Sequence, residues 1–121
     1  WQRGRWHSAI ASAVSECGGD RVPVDEVMES LSSRIRNSSQ LTEDWFNMCE
    51  NMNRTYNSKK SEVVFSLIRE AEKDGLVFVH MPRSLKNYRW KNLSHDSDRF
   101  KLIRLSLPHG SPGWRRRGAA G

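Results

Sequence analysis

The stretch Glu70-Ala71-Glu72-Lys73-Asp74-Gly75-Leu76-Val77-Phe78-Val79-His80-Met81 decides how this chain folds. Its first residues close a helical stripe made of Val63, Val64, Leu67, Ile68 and Ala71. After Gly75 the apolar period changes to two, and Leu76 to Met81 reads as a strand that Pro82 ends. Asp74-Gly75 stops the helix between them, because glycine takes the left-handed conformation that closes a helix C-terminus.

Upstream lie three more helical patterns. Trp6, Ile10, Ala13, Val14 and Cys17 share one face, and Gly18-Gly19 end that helix. Val24, Val27, Met28, Leu31 and Ile35 form a second stripe, with Pro23 in its first turn and Asp25 and Glu26 facing the positive end of the dipole. Leu41, Trp45, Met48, Cys49 and Met52 form a third, with Thr42 as its expected cap. The fourth helix is expected to start from a cap at Ser58. Downstream, Phe100 to Leu107 reads as a second strand closed by Pro108, with a slip at Leu102-Ile103 that suggests a bulge. It is expected to pair antiparallel with Leu76–Met81. Residues 83–99 are too long for a tight hairpin and could carry a short strand around Leu85–Trp90. Val22 could supply a short strand between the first two helices.

The order is therefore four helices, a strand, a long loop and a strand: an α+β chain, mostly α. Residues 1–108 form one domain. Residues 109–121, rich in Gly and Pro and then basic, are expected to be a flexible tail. Helices followed by a β-hairpin are the pattern of a winged helix, here with an extra helix inserted around Asp44–Met52. The Trp6–Ala13 opening, the Val24–Leu31 helix and the Lys73-Asp74-Gly75-Leu76 junction resemble the small winged-helix modules of chromatin regulators, including those that bind CpG-rich DNA. Tyr88-Arg89-Trp90 is similar to an aromatic element of the same modules. The resemblance covers about residues 5–107. The inserted helix and the loop 83–99 depart from it.

Charge is divided unevenly. The chain of 121 residues carries a formal net charge of +6. Residues 1–56 hold six Arg and eight acids, whereas residues 57–121 hold fourteen basic and six acidic residues, a net of +8. A basic half of this kind suits a negatively charged partner. Hydrophobic residues make up 36% of the chain and mean hydropathy is −0.75, so the core is small. No apolar run is long enough for a transmembrane helix. The opening Trp1-Gln2-Arg3-Gly4-Arg5-Trp6 lacks Met and an apolar signal core and reads as an excised piece.

Catalytic and metal chemistry find little support. His7, His80, His95 and His109 are scattered, with no pair at i, i+4 and no C-x-x-C, so zinc-ligand spacing is missing. No glycine-rich phosphate loop is present. The expectation is a non-enzymatic chain with no cofactor and no metal. Cys17 and Cys49 both fall on apolar faces, which fits a reducing compartment, with a disulfide between them possible but not indicated; the expected setting is intracellular and nuclear. Asn37-Ser38-Ser39, Asn53-Arg54-Thr55 and Asn92-Leu93-Ser94 match the glycosylation triplet, but in an Asn- and Ser-rich chain they read as chance. His80, inside an apolar run, is expected to be half-buried, with a phosphate contact as the alternative.

The expected nucleic-acid surface has three parts. A winged helix lays its last helix in the major groove, N-terminal part nearest the bases, which nominates Asn57, Ser58, Lys59, Lys60 and Arg69. The loop interleaves cations and aromatics, nominating Arg83, Lys86, Tyr88, Arg89 and Lys91 for phosphates or stacking. Arg115, Arg116 and Arg117 form a basic arm that could enter a minor groove. Duplex DNA is the favoured partner. Two alternatives stay open: a protein-contact module, favoured if Trp45 or Phe46 is exposed, and RNA, whose unstacked bases the aromatic loop would take. Nothing suggests a membrane partner, and the oligomeric state is open.

Overall fold

A computed structural model describes residues 3–51, 60–88 and 97–108. Helix α1 spans Arg3–Glu16, strand β1 Val22–Pro23, helix α2 Val24–Arg36 and helix α3 Ser39–Asn51. Helix α4 spans Lys60–Lys73, strand β2 Phe78–His80, a 3-10 turn Arg83–Leu85, the one-turn helix α5 Ser97–Phe100 and strand β3 Arg104–Ser106. The chain is α+β and mostly helical. Its sheet has the order β1-β3-β2, antiparallel throughout, with Val22 opposite Leu105 and Val79 opposite Leu105 from the other side.

The glycine stops act as local chemistry requires. Gly18 and Gly75 have positive φ (126° and 77°), a conformation that costs a side-chain-bearing residue. Each closes its helix with the same pair of bonds. Gly19 N donates to Val14 O and Gly18 N to Ser15 O; Leu76 N donates to Ala71 O and Gly75 N to Glu72 O. Pro23 stands at the N-cap of α2 with φ −56° and offers no side-chain cap. The first N–H of α2 is satisfied instead from the sheet, Val24 N donating to Ile103 O at 2.9 Å.

The helical stripes meet in one core. Trp6, Ile10 and Val14 of α1, Val24, Val27 and Leu31 of α2, and Ile68 and Ala71 of α4 are fully enclosed, and Val77, Ile103 and Leu105 close it from the sheet. Trp45 is 7% exposed, as its place in the α3 stripe requires. Cys17 and Met28 are only partly buried at the margin.

Four expectations need correction. Thr42 does not cap α3. The helix starts three residues earlier, Ser38 Oγ accepts from Leu41 N at 3.2 Å, and the Thr42 hydroxyl donates to Ile35 O at 2.6 Å. The Leu102-Ile103 slip is not a bulge. Residues 97–100 are helical, and Leu102 N and Ile103 N donate to Arg99 O and Phe100 O, so Phe100 and Ile103 face the core at a spacing of three. Only then does β3 begin. Over the described part of Leu85–Trp90 the backbone turns rather than extends, because Leu85 is buried and pulls the 3-10 turn onto the core. Strand β2 pairs only over Phe78–His80. The Ser58 cap lies outside the described residues, as does the tail 109–121.

Candidate nucleic-acid interface

Helix α4 buries more of its circumference than its sequence stripe implied. Phe65 is fully buried as well, against Phe100, with ring centroids 5.6 Å apart. At about 100° per residue, the buried positions cover roughly 200° of the helix. The arc left to solvent holds Ser66, Arg69, Glu70 and Lys73. Arg69 pairs with Glu72 at 2.9 Å and Lys73 with Glu70 at 3.6 Å, both along the helix. This arc is one wall of an open groove of about 660 Å³, whose other wall carries Lys86 and Tyr88.

The second wall is held by backbone geometry. Leu85 N donates to Pro82 O, Lys86 N to Arg83 O and Tyr88 N to Leu85 O. With Leu85 anchored, Arg83, Lys86 and Tyr88 turn outward. Arg83 is exposed at the start of the turn but does not line the groove. Tyr88 is 41% exposed, and the Arg99 guanidinium sits 4.9 Å from its ring centre. A cation over a tyrosine face is attractive, and this one ties residue 88 to the segment that leads into β3.

Of the residues nominated from sequence, Arg69, Lys86 and Tyr88 therefore come together across one groove, joined by Lys73. Lys60 begins α4, and its side chain is outside what is described. Asn57, Ser58, Lys59, Arg89, Lys91, Arg115, Arg116 and Arg117 also lie outside the described residues.

Two polar clusters escaped the sequence reading. In the first, Asp44 is 9% exposed and accepts from Trp6 Nε1 at 3.0 Å and from Arg5 at 3.2 Å. A signal was present: Asp44 lies within the Leu41/Trp45/Met48 stripe, where a lone acid must find a donor. In the second, Ser106 is 4% exposed and its Oγ accepts from Arg21 N at 2.7 Å. The same Oγ donates to Asp20 Oδ1 at 3.3 Å and lies 2.9 Å from His80 Nε2. One hydroxyl proton cannot serve two acceptors. With that proton on Asp20, His80 donates through Nε2–H.

The Ser106–His80 contact has the length of a nucleophile–base pair, but the carboxylate is bonded to the serine rather than to the imidazole, and Oγ is buried. A triad orders these groups the other way and leaves the nucleophile open. His80 itself is exposed rather than half-buried, because β2 is an edge strand and His80 faces out of the sheet. No group of three metal-ligating side chains occurs among the described residues, and no described helix is long and apolar enough to cross a membrane.

At the end of α1, Glu16 accepts from Arg34 at 2.7 Å and from Ser30 at 3.0 Å. The Arg34 guanidinium, helped by the Ser30 hydroxyl, holds the Glu16 carboxyl below its ordinary range.

No protein-family model matches the chain, and no curated protein or solved structure matches it.

Proposed function

We propose that residues 1–108 are a winged-helix module with an inserted helix, binding duplex DNA without catalysis within a nuclear or chromatin protein, and followed by a basic tail. In this reading β1 is the short first strand, α3 the insertion, α4 the recognition helix and the β2–β3 hairpin the wing. The observation that carries it is the groove between α4 and residues 81–88, where Arg69, Lys73, Lys86 and Tyr88 face one space with a single acid, Glu70, so that cations outnumber carboxylates three to one. Cations placed this way neutralise phosphates and release counterions.

The test is a duplex titration at two salt concentrations. If Lys59, Lys60, Lys86, Arg89 and Lys91 contact phosphates, the log–log slope is about −4 to −5. Replacing Lys86, Arg89 and Lys91 by Ala makes that slope shallower by about one for each phosphate no longer neutralised. A triple variant with the parent's affinity and slope removes the wing from the binding surface.

A protein-contact reading has one observation in its favour. Phe46 is 44% exposed on α3, about 100° around the helix from buried Trp45. An exposed aromatic on an inserted helix suits a protein partner. Absence of duplex binding at low salt transfers the weight to it.

A further inference from the structure

We propose that the outward face of the sheet is a separate site for unpaired nucleotides, in which Phe78 and His80 stack on bases and Arg104 and Arg21 take phosphates. The register puts these groups together. Phe78 stands opposite Ser106, His80 opposite Arg104, and Arg104 opposite Pro23 of β1. Alternation sends Leu105 and Val22 into the core and packs Val79 against it, so Phe78, His80 and Arg104 share the outer face, with Ser106 on the same side but covered. Phe78 is 51% exposed, the most exposed of the large hydrophobic residues described.

The face is built, not merely open. Ser106 is buried beneath it and fixes the His80 ring through Nε2. Ser106 is in turn held by Arg21 N, and Arg21 adopts φ +48°, a left-handed conformation that disfavours an arginine. The Arg104 guanidinium donates to the Arg21 backbone O at 3.2 Å, and both arginines are exposed. The nearby acid, Asp20, accepts from Ser106. Arg21 thus holds a backbone conformation that glycine would adopt at less cost.

Geometry selects the occupant. Positions two residues apart on one strand face are about 6.6–6.8 Å apart along the backbone. Bases in a duplex are already stacked on one another, whereas those of an unstacked strand can take an exposed ring face. A peptide strand added to the β2 edge is disfavoured, because the edge-facing Val79 N already donates to Glu72 at 3.3 Å. Aromatic rings bordered by two guanidinium groups complement a polyanion that carries flat bases.

This site is separate from the α4 groove, and the test separates the two. Binding of the full chain to a labelled oligo-dT strand and to a labelled duplex is followed by fluorescence anisotropy at low salt. The parent binds oligo-dT. Phe78→Ala weakens that binding roughly 5- to 100-fold, the range for loss of one stacked base. Phe78→Trp retains it and Phe78→Leu does not, which distinguishes stacking from apolar contact. His80→Ala weakens it too, and in the Phe78→Ala, Phe78→Leu and His80→Ala variants the loss of oligo-dT affinity exceeds any loss of duplex affinity. Arg21→Gly relieves the strained backbone, so its thermal midpoint rises while oligo-dT affinity falls. The proposal is overturned if oligo-dT does not bind, if Phe78→Ala and His80→Ala bind it as the parent does, or if Phe78→Leu retains full affinity. Oligo-dT binding that depends on Phe78, with no duplex binding, upholds this site and removes the α4 reading.

Discussion

Asp44 and Ser106 are the two buried polar side chains of the described fold, and they do opposite things. Asp44 takes its donors from Arg5 and Trp6, close to forty residues earlier in the chain, and so clasps α3 onto the start of α1. Its main partner, Trp6, is fully buried, so the bond is spent on holding the core together. Ser106 bonds to Asp20, to the Arg21 backbone and to His80, all of them at the surface. The same device, a satisfied buried polar group, stabilises packing in one place and orients exposed side chains in the other. What decides between them is the burial of the partners.

The largest effects belong to the clasp. Trp6→Ala and Trp45→Ala each remove a buried aromatic and are expected to cost about 3–5 kcal/mol, read from urea midpoints. Asp44→Ala leaves the Trp6 Nε1–H buried without an acceptor and should cost about 1–3 kcal/mol. It should leave duplex and oligo-dT binding unchanged.

Ser106→Ala provides the contrast. Its stability loss should be about 1 kcal/mol, since the groups it strands belong to the exposed residues Asp20, Arg21 and His80. Oligo-dT affinity should nevertheless fall, because the His80 ring loses its anchor. If Ser106→Ala leaves oligo-dT binding intact, or Asp44→Ala disrupts it, the distinction between the two clusters collapses.

Arg21→Gly sharpens the comparison from the other side. Relief of a left-handed conformation, less the entropy glycine loses on folding, should stabilise the fold by about 0.5–1 kcal/mol. A destabilised variant would show that the arginine side chain supports the sheet rather than a ligand.

The smallest effect lies at Glu16, whose carboxylate is exposed and paired with Arg34. A carboxyl held below its ordinary value of 4.5 adds stability that is present above that value and is lost as pH falls through the lower folded value. Glu16→Gln should therefore flatten the acid limb of a stability profile slightly and leave neutral pH almost untouched. A profile unchanged by this substitution would mean that the pair adds nothing.

Much of the frame was legible in the residues themselves. The stripes of α1, α2 and α4 are short-range patterns, and each helix buries most of the face its spacing indicates, with Cys17 and Met28 at the margin and Phe65 added on α4. Gly18 and Gly75 end their helices because left-handed backbone is a property of the residue, whatever surrounds it. Val22 pairs in the sheet, and β2 and β3 are antiparallel as the two apolar runs required. The groove was half legible: Lys86 and Tyr88 stood out as a cation beside an aromatic, but Arg69 could be placed opposite them only once Phe65 was seen to be buried.

What stayed hidden depends on contacts between distant parts of the chain. Alternation alone sends Ser106 to the surface, and it is buried because the Asp20-Arg21 turn, some 85 residues away in sequence, folds over it. Phe100 looked like the start of a strand until its partner, Phe65 on α4, drew it into a helical turn. Thr42 and Ser38 are equally good caps by composition. Leu41 and Trp45 had to be carried into the core together, and that set the helix start at Ser39. Periodicity is a property of neighbouring residues and is written in the sequence. Which polar atom meets which, and which ring is left facing water, is settled only when the core closes and each buried donor must find its acceptor.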